Sequence, residues 1–328
     1  MSKFRKIAPY IICISVPLLF LIPVQIILTE KPMILAERFF KNGGWVEIFF
    51  LTVYSILLTR IMLNLKNIIK WRTRYWLLFS IIFFTQFVLG IFVNEKFLMT
   101  GELHLPVPAL IIAGPVFRSG GFFMLTLLFS TILLAGPTWC SHLCYIGAWD
   151  NIAAKSRFTK KKFSRKTTII IRYLMIILVL LIAFILNVSG ASGITAFIVA
   201  LIFGITGVLL MFFVSRKKGY MVHCTTYCPI GGIVVLFGKI FPVKVQIEKT
   251  TCTLCSNCSL SCRYDALSIE NIKSGKAGWN CTLCGDCLTS CNHNSIIFSF
   301  FGRKINSWDI YIAFVVGLHT VFIALARL

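Results

Sequence analysis

C-T-L-C-S-N-C-S-L-S-C runs from Cys252 to Cys262, and C-T-L-C-G-D-C-L-T-S-C runs from Cys281 to Cys291. Each stretch has the C-x2-C-x2-C-x3-C spacing that wraps an iron–sulfur cube. The two halves are in register: Cys252, Cys255, Cys258 and Cys262 recur at Cys281, Cys284, Cys287 and Cys291. Three cysteines at intervals of three lie along a tight loop, so their sulfurs can converge on one cluster. The fourth, on the turn or short helix that follows, points the other way and serves the cluster of the other half. The expectation is one 4Fe–4S cluster on Cys252, Cys255, Cys258 and Cys291, and a second on Cys281, Cys284, Cys287 and Cys262. Zinc usually takes two C-x2-C pairs and has no need of a third and fourth cysteine in each half. Disulfides need an oxidising compartment, which the topology below argues against.

The 328 residues are 58% hydrophobic and 13% charged, against about a quarter charged in soluble domains. Mean hydropathy is +0.86, and long uncharged runs mark a membrane protein. Lys and Arg number 33 against 11 Asp and Glu, for a net charge of +22. Such a balance would suit nucleic acid, but the charges sit in short loops between apolar spans, as membrane topology demands. No nucleic-acid partner is expected; the lipid bilayer is.

Apolar runs predict spans at Ile7–Leu28, Trp45–Leu65, Tyr75–Val93, Gly121–Trp139, Ile169–Val188 and Ile194–Val214, with a last one at Trp308–Leu325. Each is near the roughly 20 residues that cross the hydrocarbon core. The first is too long for a secretory signal and lacks a small-residue cleavage site, so it reads as an uncleaved span. Pro17 and Pro23 are expected to kink it. The last leaves a re-entrant or interfacial placement open.

Basic residues alternate between loops. Arg60, Lys66, Lys70, Arg72 and Arg74, then the group from Lys155 to Arg172, then Arg216, Lys217 and Lys218 fall on one side; the other side holds only Lys31, Arg38, Lys41, Lys96 and Arg118. The positive-inside rule then puts the N-terminus and the cysteine-rich segment in the cytoplasm, in a multi-pass protein of the inner membrane. The stretch Leu105–Phe117, broken by Pro106, Pro108 and Pro115, is expected to lie along the outer surface or dip into it.

Four more cysteines are paired. W-C-S-H-L-C-Y-I-G-A carries Cys140 and Cys144 at the inner end of the fourth span; H-C-T-T-Y-C-P-I-G-G carries Cys224 and Cys228 at the inner end of the sixth. Both read C-x3-C-x-I-G and suggest an internal repeat whose four sulfurs meet at the membrane face. A spacing of four puts two cysteines on one side of a helix or helical turn. Four such thiols can hold a metal or a further cluster, or cycle as dithiols. His142 and His223 stand beside them. Cys13, alone in the first span, reads as a small buried hydrophobe.

Residues 245–300 resemble bacterial two-cluster ferredoxins, although Arg263 and Asn292 stand where those proteins usually carry proline. Proline is not a ligand, so the departure leaves cluster binding intact but pins the chain less, and a cation beside Cys262 would raise that cluster's potential. Paired C-x3-C motifs on membrane helices followed by such a domain, over about residues 120–300, resemble the NapH/NosR/CcoG-type membrane iron–sulfur proteins, with NapH the nearest likeness. Pro229 matches that pattern; Tyr145 departs from it. The resemblance implies an electron-transfer protein passing single electrons between the membrane, through the quinone pool or a membrane partner, and a redox partner. The mildly basic cysteine-rich segment would suit an acidic ferredoxin or flavodoxin. The alternative, from the likeness to CcoG, is a maturation factor that reduces or delivers a metal such as copper.

No C-x-x-C-H exists for a c-type haem, no matched histidines for a b-type haem, and no Rossmann glycine fingerprint for NAD(P)H. Weak candidates for a quinol site are Glu102, His104, Glu47 and His319. The expected fold is an all-α membrane bundle of six or seven transmembrane helices with a small α+β two-cluster ferredoxin-like domain. Its parts are residues 1–120, the first three spans and outer loop; 121–238, the duplicated C-x3-C units; 239–304, the ferredoxin domain; and 305–328, the last helix.

Overall fold

The computed structural model describes residues 3–28, 32–98, 105–155, 163–305 and 308–325. Seven helices among them are long and apolar enough to cross a membrane: Lys6–Ile27, Gly43–Met62, Ile68–Phe92, Phe123–Leu143, Arg165–Val188, Gly193–Lys218 and Trp308–Leu325. The chain is a multi-pass membrane protein by this measure. It divides into two compact units, Met1–His104 with Ile305–Leu328, and Leu105–Lys304.

The first unit holds α1 (Lys3–Ile27), α2 (Leu35–Phe39), α3 (Gly43–Met62), α4 (Ile68–Phe92) and the C-terminal helix Trp308–Leu325. Helix α1 runs on through Pro9, Pro17 and Pro23, so the prolines expected to kink it do not end it. The C-terminal segment is a full helix packed on α1 and α3. Its Gly317 is what permits the approach: a Cβ there would stand 2.8 Å from the Val16 Cβ. Leu21, Ile34, Ile48, Val321 and Ala324 close a buried cluster beside it. His319 is fully buried with Nε2 3.3 Å from the Tyr54 hydroxyl and its ring edge-on to Tyr75 and Phe79. Glu47 Oε2 accepts the Ala36 N–H at 2.7 Å and so ties α3 to the start of α2. Both weak quinol candidates in this unit are thus held in its internal packing, while Glu102 and His104 lie outside the described residues.

The second unit begins with α5 (Leu110–Arg118), α6 (Phe123–Ala135), α7 (Gly147–Ala154), α8 (Arg165–Val188) and α9 (Gly193–Leu209). It continues with α10 (Arg216–Lys218), α11 (Pro229–Ile240), α12 (Asn257–Ser261), α13 (Ile269–Ser274) and α14 (Asp286–Ser290). Helix α6 passes through a 3-10 turn, Gly136–Thr138, into a π-helical turn, Trp139–Leu143. Helix α9 runs through a π-helical turn, Leu210–Ser215, into α10. The stretch Leu105–Phe117, expected at the outer surface, contains α5, which packs on α8. Helices α8 and α9 start on serine caps: Ser164 Oγ accepts the Thr167 N–H at 3.1 Å, and Ser192 Oγ the Thr195 N–H at 3.3 Å, each satisfying an orphan donor of a first turn.

A small sheet follows in the order β1 (Val243–Ile247), β2 (Ile296–Phe300), β3 (Arg303–Ile305). Strands β1 and β2 are antiparallel, with Val243 opposite Phe300 and Ile247 opposite Ile296. Val243, Val245 and Ile247 are buried and alternate with half-exposed residues, the period of two that a strand with one covered face requires. The remaining helix, α15 (Trp308–Leu325), is the C-terminal one of the first unit.

Gly317→Val should force α15 off α1 and cost about 1–3 kcal/mol, the usual range for overpacking. Thermal unfolding in detergent would show it as a lowered midpoint; an unchanged midpoint would mean the two helices do not depend on that approach.

Candidate functional site

The site grows from two turns of the second unit that share one conformation. In the first, the Cys144 N–H bonds to the Trp139 carbonyl at 3.0 Å; in the second, the Cys228 N–H bonds to the His223 carbonyl at 2.9 Å. Each bond spans five residues and closes a π turn. Cys144 sits at φ −80°, ψ 119° and Cys228 at φ −70°, ψ 118°, extended backbone in both. The spacing of four had suggested cysteine pairs on one side of a helix. Instead the second cysteine of each pair has left its helix: Cys228 caps the next, α11, and Cys144 leads through a short turn into α7. Tyr145 in place of proline does not alter this: extended backbone at the cysteine leaves the next position open to either residue.

That placement aims backbone donors at sulfur. The Ile146 and Gly147 N–H groups face the Cys144 thiol, and those of Ile230 and Gly231 face the Cys228 thiol. Gly231 is required for this closeness, since a Cβ would meet the Cys224 carbonyl oxygen at 2.6 Å. Burial nonetheless dominates. It pushes Cys144 up to about 12, helped by Cys228. It lifts Cys224 well above the ordinary thiol range, helped by Asp150, Cys228, Cys144 and Cys140 in turn. The second turn thus meets the first, and all four thiols influence one another.

Two buried charges frame the quartet. Asp150 on α7 accepts the Cys224 N–H on Oδ2 at 3.0 Å; burial pushes its carboxyl up to about 6. Arg172 on α8, 4% exposed, donates from Nε to the Thr225 carbonyl and from Nη1 to Asn280 Oδ1, both at 2.8 Å. Counted from the sequence as an inner-loop charge, it lies within the spanning helix. Ser215 Oγ accepts the Val222 N–H at 3.0 Å and so anchors the second turn. His142 and His223 are buried, the latter against Gly207, where a Cβ would come 2.8 Å from its Cε1.

The second feature is the repeated segment at 252–291, whose halves are copies at the level of the backbone. Leu254 and Leu283 are left-handed, as are Ser256 and Gly285, and Asp265 and Asn294. The Ala266 N–H bonds to Cys262 Sγ at 3.2 Å and the Ser295 N–H to Cys291 Sγ at 3.3 Å. Ser261 Oγ and Ser290 Oγ, equivalent residues, meet at 2.8 Å where α12 passes α14. Around Cys258, raised to about 11 mainly by burial, stand Cys291, Cys252 and Cys255. Around Cys287, raised well above its ordinary value mainly by burial, stand Cys284, Cys281 and Cys262. Cys262, Cys281, Cys284 and Cys287 line one small cavity together with Val245 and Leu283. These four thiols suit iron–sulfur ligation, the cavity offering soft donors and apolar walls with no competing charge on its lining.

Sequence symmetry does not extend to burial. Leu283 is 2% exposed and Leu254 49%; Cys287 is buried where Cys258 is half-buried, and Cys284 is half-buried where Cys255 is exposed. The inner half docks on the membrane-end turns: Ser141 Oγ donates to the Thr282 carbonyl and the Tyr264 hydroxyl to the Cys140 carbonyl, both at 2.9 Å. Arg263, standing where ferredoxins carry proline, is part of this joint. Its carbonyl accepts the Met221 N–H at 3.0 Å, and its Nη1 donates to the Asn151 carbonyl at 3.3 Å.

Residues 119–166 match a family model described as a 4Fe-4S binding domain. A 4Fe–4S binding domain is thus present. It spans α6, the first π turn with Cys140 and Cys144, and α7, and supports an iron–sulfur protein with a role in electron transport. An uncharacterized protein of Methanocaldococcus jannaschii is 24% identical over 225 residues, which is 57% of this chain and 88% of the relative. No solved structure matches.

Asp150, Arg172 and Ser215 escaped the reading of the sequence. Arg172 had a signal: an arginine four residues into an apolar run, T-T-I-I-I-R-Y-L-M-I, where a charge in a span calls for a partner and a purpose. Asp150 and Ser215 had none.

Truncating the buried leucine should matter more than truncating its exposed twin. Leu283→Ala is expected to cost about 2–4 kcal/mol and Leu254→Ala within about 0.5 kcal/mol. Iron retention during a thermal ramp would report it, and equal losses would contradict the asymmetry.

Proposed function

We propose that the chain is a membrane-bound electron carrier. It would pass single electrons between the membrane, through the quinone pool or a membrane redox partner, and a soluble partner such as an acidic ferredoxin or flavodoxin. Cys252, Cys255, Cys258 and Cys291 would hold one 4Fe–4S cluster, and Cys281, Cys284, Cys287 and Cys262 the other. Each cluster supplies one-electron chemistry without bond making in the protein. Cys140, Cys144, Cys224 and Cys228 form the redox or metal site at the membrane end. The basic loops favour the cytoplasmic side of the inner membrane for the ferredoxin-like segment. Motif order and the two C-x3-C turns support the likeness to NapH.

One observation carries this reading: the three cysteine-bearing segments follow one another, joined by hydrogen bonds at or beside their cysteines. The quartet touches the Cys281 loop through Ser141 and Thr282, and touches the turn after Cys262 through Cys140 and Tyr264. The inner half touches the outer through Ser261 and Ser290. The last set ends at exposed Cys255 and Leu254, where a partner can come within tunnelling reach. The residues do the rest: they hold sulfur, exclude water from the inner sets and leave one loop open.

In membranes, menaquinol analogues should change the cluster absorbance, and Cys140→Ser with Cys224→Ser should abolish that change while leaving the ferredoxin-type spectrum intact. No response to quinol or quinone under either poise would rule out the quinone role, and a response to Cu(II) alone would favour the maturation role. Leu254→Glu should slow transfer to an acidic partner by about tenfold through like-charge repulsion, at unchanged iron content. Unslowed transfer would move the exit elsewhere.

A further inference from the structure

We propose that Cys140, Cys144, Cys224 and Cys228 together hold a third 4Fe–4S cluster, with Arg172 as its buried counter-charge. This deepens the electron-carrier reading and rests on it. The matched family model reaches only Cys140 and Cys144; the second pair and the arginine come from the structure.

Three observations carry the inference. The first is the cradle. Two turns with the same π-turn hydrogen bond bring one pair each, and in both the second sulfur receives two backbone N–H groups at the head of a helix. Helix N-termini and N–H···S bonds stabilise negative sulfur, and a neutral thiol or a disulfide gains little from either.

The second is spacing. Among the described residues, no three His, Cys, Asp or Glu side chains converge closely enough to hold a single metal ion. One ion would draw its sulfurs to about 2.3 Å from a common centre, whereas a cube spreads its ligands over four irons. The four thiols are neighbours in charge without being neighbours at that range. No single-ion set is preformed among the described residues, which favours a cluster over a lone copper or zinc ion.

The third is charge. Arg172 is buried within a spanning helix, and its hydrogen bonds go to a carbonyl and an amide oxygen, both neutral. Among the described residues it meets no carboxylate. A buried cation without an anion costs several kcal/mol, and a cluster on four thiolates carries net negative charge. Gly232 makes the room: a Cβ there would stand 2.6 Å from Ile176 Cδ1 and 3.0 Å from Arg172 Cγ. Through Asn280 the same guanidinium reaches the residue before Cys281, so it stands between the quartet and the next cysteine set.

Full-length protein purified anaerobically in detergent tests this by iron and acid-labile sulfide analysis with Mössbauer and EPR spectra. About twelve irons per chain are expected, falling to about eight in Cys224→Ser/Cys228→Ser with the ferredoxin-type signals retained. Wild-type protein at about eight irons, or a variant that keeps the wild-type count, overturns the third cluster. A count well below about eight in the wild type overturns the two-cluster reading instead, so the two failures are distinguishable. Arg172→Gln should move one midpoint potential downward and leave the others in place, with Arg172→Lys restoring it. A set of potentials unmoved by Arg172→Gln removes Arg172 from the site.

Discussion

Buried sulfur needs a donor to face it, and the second unit is arranged around that requirement. Backbone N–H groups supply it at Cys144 and Cys228, where α7 begins at Gly147 after a short turn and α11 begins directly at Pro229. They supply it again at Cys262 and Cys291, where the chain turns back so that the N–H of Ala266 or Ser295 reaches sulfur. The left-handed residues, the π turns and the glycine at 231 are the local means. Each lets the backbone approach sulfur more closely than a regular helix would permit.

Much of this was legible in the sequence, for identifiable reasons. Spans announce themselves because about 20 apolar residues in a row have few other uses, and the seven helices fall on the expected runs, the third starting earlier, at Ile68 rather than Tyr75. The repeat of the cysteine intervals was legible as well, and the matched left-handed residues show that it extends to the backbone. The two C-x3-C pairs were legible as a repeat, but not as π turns. A spacing of four fits an ordinary helix, and only the five-residue hydrogen bonds show that the second cysteine has left it. The helices flanking the turns differ in length and sequence, so the repeat that survives in the fold is the turn itself, with a helix starting after it.

What stayed hidden depends on long-range packing. Nothing around Asp150 in the sequence says that its carboxylate will meet the backbone of Cys224, 74 positions on. Arg263 read as a missing proline and a loosened turn. In the fold the turn keeps its shape through the N–H to Cys262 Sγ, and the arginine fastens the segment to the elements that carry the other cysteines. The departure from the ferredoxin pattern is therefore a gain of a contact at the joint between the two motifs, a use an isolated ferredoxin would not have.

The unequal burial of two equivalent loops has a chemical consequence. Dioxygen and peroxide attack iron–sulfur chemistry from solvent, and Leu283 shields one loop while its twin Leu254 leaves the other open. On the electron-carrier reading, damage begins at the outermost set and proceeds inward. The same opening that lets an electron leave sets the order in which the protein would fail in air. An organism relying on it would need either anaerobic life or steady repair of a single, predictable position.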